Sequence, residues 1–132
     1  MAATAQALVT PEATFDEYQR AWVQKDIPRF LATISFRQEA YELLQRKDPQ
    51  GVKPNEVAVS ELAAKRESEL RALLETRGFI ATDIGSCKIT QKLQLSEDQV
   101  RFILSCKSAT SALLLPIRLM RFPTGWLVVR GG

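Results

Sequence analysis

The chain has 132 residues, 45% hydrophobic and 25% charged, with a formal net charge of +3 and no histidine. That length holds one domain around one core and is too short for two ordinary ones, and the composition belongs to a globular chain rather than a disordered, collagen-like or coiled-coil one. Lack of histidine excludes Ser-His-Asp and Cys-His nucleophile systems, an imidazole base and His-ligated metals, and no apolar run nears the roughly 20 residues of a membrane span.

Residues 1–13 lack periodicity and read as a flexible N-terminal arm, leaving residues 14–132 as a single α+β domain. The run Ala3-Thr4-Ala5-Gln6-Ala7 resembles the tail before a secretory cleavage site, so an exported protein with a trimmed leader and a cytoplasmic one both stay open. Thr14 and Glu17 have capping-box spacing and predict the start of a first helix, with Phe15, Tyr18 and Trp22 on one face. Asp26 then caps a second helix, with Pro28 tolerated in its first turn. Phe30, Leu31, Ile34, Tyr41 and Leu44 form its apolar stripe, and whether it restarts after Ile34-Ser35-Phe36 is open.

Residues 48–55 are dense in turn formers. A long third helix follows over 56–77, striped by Val59, Leu62, Ala63, Leu70, Leu73 and Leu74 and closed by Gly78. Past Gly78 the period drops to two. Cys87, Ile89, Leu93 and Leu95 predict one face of a first strand, and Val100, Phe102, Leu104 and Cys106 one face of a second. Strands near 113–122 and 126–130 complete an antiparallel meander, with the helices packed on one face of a curved sheet of four or more strands.

Lys and Arg exceed Asp and Glu by seven to three after residue 78, but they are spaced singly, the pattern of a solvated sheet face and not of a nucleic-acid binder. A hairpin turn centred on Ser96-Glu97 sets Cys87 opposite Cys106, whereas one centred on Glu97-Asp98 leaves them diagonal. A disulfide between Cys87 and Cys106 and two buried thiols are therefore both open. Two thiolates without histidine predict no metal site, and no cofactor is expected. The third strand, with Leu113-Leu114-Leu115, Pro116 and Ile117, is apolar on both faces for part of its length. This predicts a homodimer through the sheet, unless Pro116 marks a bulge that shifts the alternation.

An aromatic first helix (Phe15 to Trp22), the step Lys25-Asp26-Ile27, Phe30-Leu31 on the next helix, and a last strand at Gly125-Trp126-Leu127-Val128-Val129 follow one another. This succession resembles the nuclear-transport-factor-2-like superfamily, also called the cystatin-like or SnoaL-like fold. The resemblance implies a cone, with an apolar pocket between helices and a curved sheet. Members range from isomerase- and cyclase-like enzymes to ligand-binding, dimerising and small exported bacterial proteins, so chemistry does not follow from the fold. Candidate pocket residues for a small apolar ligand are Tyr18, Trp22, Phe30, Ile34 and Tyr41, facing Phe102 and Leu104. No polar constellation identifies a catalytic residue, which favours a non-catalytic ligand-binding or interaction domain. The alternative is an isomerase- or cyclase-like enzyme using Tyr18 or Tyr41 as hydrogen-bond donor and a carboxylate as base.

Overall fold

The computed structural model describes residues 8–48, 50, 53–78, 87–107 and 112–130. They form an α+β fold of four helices, α1 (Pro11–Gln24), α2 (Ile27–Ala32), α3 (Phe36–Lys47) and α4 (Glu56–Arg77), followed by β1 (Cys87–Ser96), β2 (Gln99–Lys107), β3 (Ala112–Phe122) and β4 (Gly125–Val129). The strands make one antiparallel sheet in the order β1-β2-β3-β4.

The first helix begins four residues before the expected capping box. Thr10 is its N-cap, accepting from the Ala13 amide at 3.0 Å, and Pro11 opens the first turn. Residues 8–13 thus belong to the folded domain, while residues 1–7 of the expected arm lie outside the described residues. Thr14 and Glu17 have tertiary duties instead. The buried Thr14 hydroxyl donates to the Trp126 carbonyl at 2.9 Å, and Glu17 takes a two-pronged bond from Arg29 at 2.8 and 2.9 Å. A capping box and a buried polar pair leave the same residue types in the sequence, so spacing alone does not separate them.

Asp26 caps α2 as expected, through the Arg29 amide. That helix stops at Ala32, giving four helices where three were expected. The reason is a competing partner: Val128 donates to the Thr33 carbonyl at 2.7 Å, and the Ser35 amide donates to the Val128 carbonyl at 2.9 Å. Residues 33–35 therefore run along the edge of β4 in a parallel bridge, after which Ser35 caps α3 through the Gln38 amide. Along α4, Val59 and Leu74 are buried and Ala63 and Leu70 pack against the core, but Leu73 is exposed.

The first hairpin contains both registers that the turn alternatives offered. Glu97-Asp98 forms the turn, with Ser96 opposite Gln99. Register shifts at Thr90 and Leu95 then advance β1 stepwise, until Cys87 lies opposite Cys106 with their sulfurs bonded and their Cα atoms 4.0 Å apart. Each one-residue shift moves the following side chains to the other face. Hence Leu93 does not share a face with Cys87 and Ile89: it stands opposite Arg101, while Ile89 stands opposite Leu104.

The core joins Phe15, Tyr18 and Ala21 of α1, Phe30 and Leu31 of α2, and Val100, Phe102, Leu104, Leu119, Trp126 and Val128 of the sheet. Phe15 meets Phe102 edge to face at 6.0 Å between ring centroids, and Tyr18 meets Phe30 at 4.7 Å. At the β3–β4 turn, Gly125 has φ 130°, and a Cβ there would stand 2.7 Å from the Leu8 carbonyl oxygen, which accepts from the Trp126 amide at 2.8 Å. Gly125→Ala therefore combines a disfavoured φ with a backbone clash, and is expected to cost about 2 kcal/mol or more, read as a lower urea midpoint at unchanged slope.

Candidate functional site

β4 pairs with β3 only from Arg118 to Phe122, so the first half of β3 extends past its neighbour. Alongside that stretch lies a half-open cavity of about 740 Å³, bounded by Tyr18 of α1, by Glu42, Gln45 and Arg46 of α3, and by β2, β3 and the end of β4. Residues from both sides of the sheet border it. Leu104, Cys106, Leu115 and Ile117 belong to the core face, whereas Arg101, Ile103, Pro116 and Arg118 belong to the other. The early end of β4 allows this, since the cavity can pass round the β3 edge. Pro116 suits such a position, because proline has no amide hydrogen to offer a flanking strand.

Tyr18 is the polar group at the inner wall. It is 8% exposed and borders the cavity. Burial pushes its phenol up to about 12, with Arg130 pulling it down and Glu39 pushing it up. At neutral pH it is a protonated donor.

Beside it, Glu39 is buried at 2% exposure and is held by three donors from Arg130 (the amide at 2.7 Å, Nε and Nη2 at 3.0 Å each) and by Arg66 at 3.1 Å. One turn on, Glu42 pairs with Arg118 and accepts from Gln38 at 2.9 Å. Desolvation raises the Glu42 carboxyl, but the bonds from Arg118 and Gln38 and the charges of Arg118 and Arg46 outweigh it and hold it below the usual carboxylate range.

Of the seven pocket residues read from the sequence, Tyr18 and Leu104 border the cavity. Phe30, Ile34 and Phe102 are buried in the core, and Trp22 packs on Phe30 at 5.4 Å. Tyr41 is half-buried on α3 and is not among the lining residues. The aromatic stripes are thus mostly solid packing. The sequence reading missed the charged wall of Glu42, Arg46, Arg101, Arg118 and Arg130. One signal for it was present: Arg101 and Arg118 each interrupt an apolar run, Val100 to Leu104 and Ala112 to Met120. No group of three or more metal-ligating side chains occurs among the described residues.

No family model, curated protein or solved structure matches the chain.

At the cavity, Glu42 and Tyr18 each shape one limb of the pH–stability curve, the acid limb being shared with the lowered carboxyls of Glu12 and Glu56. Glu42 binds its proton less readily folded than unfolded, so its contribution is complete above the ordinary value of 4.5 and is lost as pH falls through its lowered folded value. Tyr18 holds its proton more tightly when folded, so stability declines as pH rises from about 10 towards 12. Urea titrations across pH should show both limbs. Tyr18→Phe should flatten the alkaline limb and remove the phenol that ionises near 12 in an ultraviolet titration.

Proposed function

We propose that this domain is a non-catalytic ligand-binding module of nuclear-transport-factor-2-like architecture, holding a small, largely apolar molecule against Tyr18 between α1, α3 and the sheet. The observation that carries the reading is the half-open cavity of about 740 Å³, which has the size and mixed lining of small-molecule sites. Leu104, Leu115, Ile117 and the disulfide supply an apolar wall, and Tyr18 supplies one orienting donor. The order of elements, with the aromatic α1 ahead of a four-stranded meander, agrees with the proposed cone.

The state of the nearby carboxylates favours binding over catalysis. An isomerase-like reaction requires a carboxylate able to take a proton near neutral pH. Glu39 is occupied by Arg130 and Arg66, and Glu42 is held by Arg118 with its proton affinity reduced. Native mass spectrometry of unreduced protein is expected to retain a small-molecule adduct, or to acquire one from an apolar reporter such as 1-decanol, with several-fold lower occupancy in Tyr18→Phe as one neutral hydrogen bond is lost. Complete failure of the parent protein to take up any apolar compound would overturn the ligand reading.

A second reading concerns assembly. Leu114 is 69% exposed and Leu113 46% exposed on β3 beyond the end of β4, and such a stretch is a ready partner for another chain. We propose that a second copy covers it. Light scattering after gel filtration should give twice the monomer mass, and Leu114→Lys should return it to monomer. A parent protein that stays monomeric at high concentration would sink this reading.

A further inference from the structure

The cavity is charged unequally from end to end, and that inequality selects among ligands. Its described lining contains four arginines, Arg46, Arg101, Arg118 and Arg130, against the single acid Glu42. Two of them are neutralised locally, Arg118 by Glu42 and Arg130 by Glu39. Arg46 and Arg101 form no ion pair among the described residues, and both are exposed at the rim.

The register sharpens the point. Arg101 stands directly opposite Arg118 across the β2–β3 pair. Like charges at facing positions destabilise a sheet, and Glu42, already bonded to Arg118, is the one acid among the described lining residues. An anion placed beside Arg101 would relieve the remaining repulsion.

The other end of the cavity is apolar, and its surface continues outward on one face. In the row Ile89–Leu104–Leu115 and the row Cys87–Cys106–Leu113, the central residues line the cavity. The end residues Ile89 and Leu113 are 38% and 46% exposed. A ligand matching this surface has a flexible or flat apolar body and one anionic group.

We propose that the cavity binds a small amphipathic anion that passes round the β3 edge, its apolar body along the disulfide, Leu104 and Leu115 on the core face and its charged group at Arg46 and, on the other face, Arg101. The inference rests on the ligand-binding reading and narrows it to a chemical class. Arginine suits this role, since its planar fork matches a carboxylate with two parallel bonds.

The test uses three probes with the same apolar chain: decanoate, 1-decanol and decyltrimethylammonium, each kept below its aggregation concentration and titrated calorimetrically into the unreduced protein. Decanoate is expected to bind about tenfold or more tightly than the other two, as one charge-assisted interaction allows, with the preference shrinking as salt is raised. The double variant Arg46→Gln, Arg101→Gln should remove most of that preference. Its melting temperature without ligand should stay close to the parent's, because the Arg101–Arg118 repulsion that is removed is set against the lost attraction of Arg46 for Glu42. Equal affinity for decanoate and 1-decanol would overturn the anion assignment while leaving an apolar pocket in place. Binding of none of the three would overturn both. A preference that persists in the double variant would refute the assignment to Arg46 and Arg101.

Discussion

The buried carboxylate of Glu39 is the constraint on which the arrangement depends. It lies in the first turn of α3, accepts from Arg66 of α4, and receives three donors from Arg130 just past the end of β4. One side chain thus ties two helices to the last strand. A carboxylate removed from water needs its lone pairs satisfied, and these donors do so, although the Arg66 Nε itself is buried without a partner among the described residues. Loss of one member of a buried charged group leaves the others uncompensated, at a typical cost of about 3–5 kcal/mol. Because α3 is fixed at Glu39, Glu42 and Arg46 follow one and two turns later, at the cavity wall.

A second consequence concerns the edge of the sheet. β4 is five residues long and its far side is taken by residues 33–35 and by Leu8, through bonds to Val128 and Trp126. The eleven-residue β3 extends past it. A longer β4 would have paired with Leu115, Pro116 and Ile117 and closed the space that the cavity occupies. The difference in length between two neighbouring strands creates the site, and the helix fixed by Glu39 gives it a wall.

The disulfide belongs to the same region. Two successive register shifts in β1 bring Cys87 opposite Cys106, at the apolar end of the cavity. Those shifts also send Leu93 to the Arg101 side. Two local irregularities therefore settle both the pairing of the cysteines and the composition of two surfaces.

The sequence by itself determined the α+β order, the long helix ending at Gly78, the Asp26 cap and the four-stranded meander, because each rests on local signals: periodicity, caps and turn residues. It also made plain which histidine chemistry is absent. The three-dimensional structure decided what depends on partners distant in the chain. The break at Thr33 exists because Val128 offers hydrogen bonds that α2 cannot match. Thr14 and Glu17 leave their expected capping roles because Trp126 and Arg29 lie within reach. The candidate site was the least legible part. Apolar aromatics such as Phe30 and Phe102 read alike whether they line a void or fill a core, since periodicity reports a face and not the space in front of it. Arg101 and Arg118, seventeen residues apart, became facing charges only through the pairing of β2 with β3. Local chemistry selected the elements; long-range register and strand length decided where a cavity could open and which charges would border it.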